Sequence, residues 1–252
     1  MSSDNPLLDF VLIHADNSLI LSQRLSEWCG HGPVLEQDMA LTNIALDHIG
    51  RARLLYQYAA ELDGTGKTED DFAFVRDELD YKNVLLAEYP NVDFAYTILR
   101  QFFMDSFYID FLDKMVLSTD TRLSQIANKS LKETQYHYKW SKDWVIRLGD
   151  GTEVSHQKIQ TALNRLWEYH GELVVPSDAE KIMIAQKIAP DFEEIKALRT
   201  QRILETFAEA NLTTPSNPWQ QSGGKKGYHS EHFGFLLTEM QFMQRAYPGL
   251  DW

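Results

Sequence analysis

The chain has 252 residues, 44% of them apolar and 24% charged, an ordinary globular balance with ample length for a buried core. Acidic residues number 37 and basic residues 24; the net charge of −13 repels phosphate backbones and anionic lipid, which argues against nucleic-acid or membrane-surface binding but leaves room for a local basic spot that holds a small anion. The single cysteine, Cys29, excludes an intrachain disulfide, Met1–Asp9 carries Asp4 and Asp9 without Lys or Arg, and no apolar run approaches the ~20 residues of a membrane helix, so a soluble cytoplasmic protein is expected.

Glycine and proline are sparse, 13 and 8, and fall between long periodic stretches, as in a helical protein. Leu7 to Trp28 is the first predicted helix: Leu8, Val11, Leu12, Ala15, Leu19 and Leu25 recur at three- and four-residue steps, before a break at Gly30 and Pro33. Leu35 to Leu62 is the second, with Met39, Ile44, Leu46, Ile49, Leu54 and Leu55 as its apolar face and Gly64-Thr65-Gly66 as its end. Thr68 with Asp71 forms a capping pair that opens a shorter helix through Leu79, with an extension toward Leu86. After Pro90 and Asn91, Asp93 caps a helix from Phe94 to about Leu117. Asp120 or Thr121 starts the next, which runs to Leu148 and stops at Gly149-Asp150-Gly151. Later helices are read at Val154–Glu172, Ser177–Ile188, Asp191–Asn211 and Ser230–Ala246, with an irregular stretch between Leu212 and Tyr228. Alternating β-branched runs are almost absent and no composition shift marks a boundary, so a single all-α domain over 1–252 is expected. The helix pair 7–62 is mirrored in outline by the pair 94–148, and four helices of ~30 Å in antiparallel pairs make a four-helix bundle.

Several acids interrupt the apolar stripes. Asp16 lies between Ala15 and Leu19, Asp47 between Ile44 and Ile49, and Asp105 and Asp110 within a Phe-rich helix; Glu133 and His137 are one turn apart on the next. The 31 residues from Asp16 to Asp47 and the 28 from Asp105 to Glu133 are each about one helix plus a turn, which would set each pair face to face. That is the layout of a carboxylate-bridged di-iron bundle, but such a bundle also needs Glu-x-x-His on two helices. Against an Asp-Glu-x-x-His pattern, His48 stands where the bridging Glu would be and Arg51 where the His would be; around Glu133, His137 is kept while Thr134 replaces the Glu. An arginine cannot ligate a metal and adds like charge. Two readings remain for these acids: pairing with nearby Lys and Arg or with solvent, or a di-metal centre.

Strings spread over essentially the whole chain carry a resemblance: Leu21-Ser22-Gln23-Arg24-Leu25, Glu27-Trp28-Cys29-Gly30-His31, Tyr58-Ala59-Ala60-Glu61-Leu62, Phe74-Val75-Arg76-Asp77-Glu78, Glu133 to His137, Gln157-Lys158 with Leu166-Trp167, Gly223 to Gly227, His229 to His232, and Glu239-Met240-Gln241. On these, the sequence resembles the structural C-type subunits of bacterial ring-1,2-phenylacetyl-CoA epoxidases, ferritin-like multicomponent monooxygenases. The resemblance implies a ferritin-like four-helix bundle with additional C-terminal helices and a role in phenylacetate catabolism. It further implies that a sister A-type subunit holds the di-iron centre and the CoA-thioester pocket, while a reductase supplies electrons from NADPH. The assembled enzyme of that family places one oxygen atom of O2 across the 1,2-bond of phenylacetyl-CoA. This chain is then expected to have no catalytic residue, no metal and no cofactor, with Asp16, Asp47, His48, Arg51, Asp105, Glu133, Thr134 and His137 as degenerate ligand positions.

The run Gly223-Gly224-Lys225-Lys226-Gly227 precedes a predicted helix and adds two cations to an acidic protein. Flanking glycines suggest an exposed loop, and Lys225 and Lys226 are candidates for contact with a partner subunit or with CoA phosphates. His229 and His232, one turn apart, read either as two zinc ligands or as polar residues at a helix start. Phe102, Phe103, Phe107, Tyr108 and Phe111 read as core or as the lining of an apolar pocket. Three functions follow: the inert half of a hetero-oligomeric oxygenase, an active di-iron oxidase or ferroxidase with atypical ligands, or an unrelated helical scaffold or small-molecule binder.

Overall fold

The computed structural model describes residues 5–250, and among them there is no β-strand. Ten α-helices follow in order: α1 (Pro6–Ser26), α2 (Leu35–Asp63), α3 (Glu69–Phe74), α4 (Leu85–Glu88), α5 (Phe94–Met115), α6 (Thr121–Gly149), α7 (Glu153–Leu166), α8 (Asp178–Ala185), α9 (Phe192–Glu209) and α10 (Phe233–Ala246). The described residues through Pro90, with those from Gly223 onward, form one compact unit, and Asn91–Ser222 form the second. No described helix is long and apolar enough to cross a membrane.

The first unit is built on the hairpin of α1 and α2. Asn5 caps α1 by accepting the Leu8 amide at 3.2 Å, and Pro6 supplies the preset φ of a first turn. Gly64 ends α2 with φ +64°, a conformation that costs glycine nothing. Across the hairpin Arg51 Nε donates to Ser18 Oγ at 2.9 Å and Asn5 Nδ2 to the Leu62 carbonyl at 3.5 Å, so rising numbers on α1 meet falling numbers on α2. The apolar residues expected on α1 are buried. Those expected on α2 divide. Ile44 and Leu55 are buried, whereas Met39, Leu46 and Ile49 are exposed on the other side of the helix.

The second unit repeats the pattern with α5 and α6. Asp93 and Asp120 cap them by accepting the amides of Tyr96 at 3.1 Å and Leu123 at 2.9 Å. Phe94 packs edge-on against Trp144 and Phe102 stacks on Tyr138, an antiparallel register. The aromatic cluster Phe102, Phe103, Phe107, Tyr108 and Phe111 of α5 is core: Phe102 and Phe103 pack against Phe207, and Phe107 and Phe111 against Phe192, both on α9.

Tertiary bonds shorten helices that local pattern would extend. The Thr68–Asp71 capping box forms, but α3 stops at Phe74 instead of reaching Leu79. Arg76 Nε takes the Phe72 carbonyl at 2.6 Å, and the amides of Lys82 and Val84 donate to Asp16 and Asn17 on α1 at 2.7 and 2.8 Å, which keeps them from helical partners. The helix read from Val154 to Glu172 is α only to Leu166 and continues as 3₁₀ turns over Trp167–Val174. α8 ends at Ala185 rather than Ile188, beside Lys187 in the left-handed region. α10 begins at Phe233, not Ser230: the Ser230 carbonyl accepts the Phe233 amide at 3.1 Å in a turn ahead of the helix, and the Ser230 amide donates to Glu88 at 2.6 Å.

Glu88 anchors the C-terminal segment within the first unit. Its carboxylate also accepts from Asn83 Nδ2 at 2.9 Å and from His229 Nδ1 at 2.7 Å, while His229 Nε2 faces the Tyr81 carbonyl at 3.0 Å. Both ring nitrogens therefore meet acceptors, and the ring is an imidazolium. Burial opposes that charge, but Glu88 and the Tyr81 carbonyl outweigh it and raise the His229 pKa. A raised folded value gives stability that is complete below the unfolded value of about 6.5 and is lost as pH climbs through the folded one. Urea unfolding of wild type and His229→Gln from about pH 6 to about pH 9 should show the wild type losing more stability. Parallel pH dependence in the two proteins would contradict the imidazolium assignment.

Candidate functional site

Asp16 sits at mid-height on α1 with its carboxylate fully buried. Tyr56 on α2 donates its hydroxyl to Oδ1 at 2.6 Å, Arg76 makes a two-pronged ion pair with both oxygens, and the Lys82 amide donates to Oδ2. The Arg76 guanidinium also lies over the Tyr81 ring, 4.1 Å from its centroid. Burial works against the Arg76 charge, yet Asp16 and the neighbouring phenols overcome it and hold the group more firmly protonated than usual. Burial, then the Asp16 charge, raises the Tyr56 phenol well above its ordinary value. Both phenol and guanidinium thus stay in their ordinary charge states, as donors to Asp16.

One turn away along the same hairpin, Arg51 bridges the helices. It donates to Ser18 and, through Nη2, meets His48 Nδ1 at 2.7 Å. Arginine only donates, so His48 Nδ1 accepts and the proton of the neutral ring sits on Nε2. His14 is buried nearby; burial first, then Lys225 and Arg51, lowers its pKa well below the usual histidine value. The polar interior of this unit thus sets arginine and lysine among the buried carboxylates of Asp9, Asp16 and Glu88.

In the second unit Asp105 accepts from Gln101 Nε2 at 2.7 Å and, across the hairpin, from Ser141 Oγ at 2.8 Å. Thr134 and His137 are buried on the same face of α6, and ligand-type atoms of Asp105 and His137 lie within 4.8 Å of one another. Glu133 is only partly buried, on the flank of that face. Asp110, about a turn and a half beyond Asp105 on α5, holds Arg202 in a bidentate pair at 2.8 and 2.9 Å. Arg199 is buried on different terms: it donates to the Phe103 carbonyl and meets His170 Nδ1, and burial brings its pKa down to about 9.

The expected meeting of Asp16 with Asp47 does not occur. Asp16 is opposite Tyr56, nine residues beyond Asp47, and Asp47 is partly exposed. The hairpin register places the first ~2 turns of α2 beyond the end of α1, so equal mid-heights do not align. The Gly223–Gly227 loop is not the exposed element expected. Gly224 and Lys225 are buried, and Lys226 faces solvent. A Cβ on Gly224 would collide with the Asn83 carbonyl, and one on Gly227, at φ +82°, with the Leu79 carbonyl; these glycines permit close backbone packing. His229 is committed to Glu88 and not to a zinc pair with His232, whose side chain is half-exposed.

Sequence reasoning did not find Arg76, Tyr56, Glu88 or Arg202 as partners of these polar groups. Each lies 40 or more residues from the group it serves. The available signal was the arginine itself: a buried acid in an apolar stripe requires a cation or several donors somewhere in the fold.

Comparison with known proteins supplies independent context. A family model described as "Phenylacetic acid catabolic protein" (PaaA_PaaC) matches residues 1–252. A curated relative from Escherichia coli (strain K12), the C-type subunit of 1,2-phenylacetyl-CoA epoxidase, is 46% identical over 251 residues, covering 98% of this chain and all of that protein.

Removing one partner of a buried ion pair strands the other. Arg76→Met is therefore expected to cost about 3–5 kcal/mol in urea unfolding, and the double variant Arg76→Met/Asp16→Leu clearly less. Equal losses in the single and double variants would mean that the pair is not what makes the single substitution costly.

Proposed function

This chain belongs to the phenylacetic acid catabolic protein family, and on that premise we propose that it is the structural, non-catalytic subunit of a phenylacetyl-CoA epoxidase. In this reading it pairs with and supports a separate A-type subunit that holds the di-iron centre. The C-type relative supports the assignment, because the match runs through both proteins from end to end. The observation that carries the non-catalytic half is the state of the polar interior. Asp16 is committed to Arg76, Tyr56 and the Lys82 amide, and Arg51 donates into His48 Nδ1.

A di-iron centre needs several carboxylates with free lone pairs and imidazoles turned toward the metal. The first unit offers a saturated carboxylate, a histidine capped by arginine, and an added positive charge. In the second unit Thr134 stands where a bridging glutamate would be. These residues do not fit a di-iron centre. Its contribution to turnover is then to shape and stabilise the partner. Lys226 is the solvent-facing candidate of the glycine–lysine loop for contact with that partner or with the CoA ester.

The test is reconstitution. With phenylacetyl-CoA and a reductant, the purified chain is expected to consume no oxygen, and adding the cognate A-type subunit and reductase should give turnover together with co-elution of the two subunits. Oxygen uptake by this chain alone, or failure to co-elute with the A-type subunit, would overturn the reading.

A further inference from the structure

α2 carries a second apolar stripe, on the side away from α1. Leu35, Met39, Leu46 and Ile49 are 73, 56, 59 and 38% exposed, and with Thr42 between them they step by four, three, four and three residues. That alternation is the seam of a helix that packs against another helix by knobs into holes. It runs about 21 Å along α2. Single exposed apolar side chains need no explanation, but an aligned seam of this length does. The next position in the step is Arg53, which ends the apolar run and pairs with Glu69 at 3.1 Å.

Gly50 lies beside this seam, in the interior of a 29-residue helix. A glycine there costs about 1 kcal/mol against alanine. Packing among the described residues does not account for it, since a Cβ at Gly50 would meet no atom within 4 Å. A missing side chain on an exposed, otherwise apolar face allows close approach by something outside the chain. The flanks of the seam are acidic, with Glu36, Asp38 and Asp47 beside it. Two copies of this face would therefore set acids against acids, whereas a helix flanked by Lys and Arg would be attracted.

We propose that the Leu35–Ile49 seam of α2, with Gly50, is the docking face for a helix of the A-type subunit that presents an apolar ridge flanked by basic residues. The assignment rests on the pairing reading given under Proposed function and adds to it where the partner sits.

The experiment measures binding of the cognate A-type subunit to wild type, to Leu46→Lys/Ile49→Lys and to Gly50→Leu, with circular dichroism and thermal unfolding as fold controls. All three sites lie on the solvent-facing side of α2, so the variants should fold as wild type does. Both variants are expected to bind roughly tenfold or more weakly. Asp38→Lys/Asp47→Lys should also bind more weakly and lose the salt dependence of the wild type. Wild-type binding that all variants retain would overturn this face and leave the pairing reading intact. Absence of binding by wild type would overturn the pairing reading and this assignment with it. Wild-type self-association that the Leu46→Lys/Ile49→Lys variant abolishes, with binding of the A-type subunit unchanged, would overturn the assignment by showing that a second copy covers the seam.

Discussion

The Asp16 carboxylate is buried away from bulk solvent, and the groups around it answer that fact. A buried carboxylate is tolerated only with a cation and enough donors, and Arg76, Tyr56 and the Lys82 amide supply them. Meeting that requirement ties α1 to α2 through Tyr56 and brings the chain after α3 back across α1. It also breaks the helix that the sequence between Phe74 and Leu86 would otherwise continue. The same stretch then presents the Tyr81 and Asn83 carbonyls and the Glu88 carboxylate to which the C-terminal segment docks.

Arginine is the residue that makes this interior workable. Its planar fork can satisfy both oxygens of a carboxylate at once, as Arg76 does with Asp16 and Arg202 with Asp110. At His48 the same property has the opposite sense, because a guanidinium that donates to an imidazole nitrogen takes the lone pair a metal would use. The helical hairpins are thereby kept, with buried arginines taking up lone pairs of their carboxylates and of the His48 imidazole.

The long helices were legible because their signals are local. Periodicity, the caps at Asp93 and Asp120 and the Thr68–Asp71 box act within one or two turns, and the structure keeps them. What depended on distant partners was not legible. The sequence shows Asp16 as an acid in an apolar stripe, but nothing near it identifies Arg76 as its partner 60 residues on. Apolar residues on α2 were read as one face although Ile44 turns inward and Met39, Leu46 and Ile49 outward, since composition alone does not say which of two stripes a neighbour covers. The glycines around Lys225 and Lys226 suggested an exposed loop, but Gly224 and Gly227 serve close packing onto the Asn83 and Leu79 carbonyls.

In the proposed reading, ion pairing takes the place of metal ligation in this chain. The most direct measurement is elemental analysis of the protein produced without its partner in iron-replete medium, before and after mild chelation, with the unfolding temperature recorded alongside. Trace iron and an unfolding temperature unchanged by the chelator are the expected result. Near-stoichiometric iron, whose removal lowers the unfolding temperature, would contradict the claim.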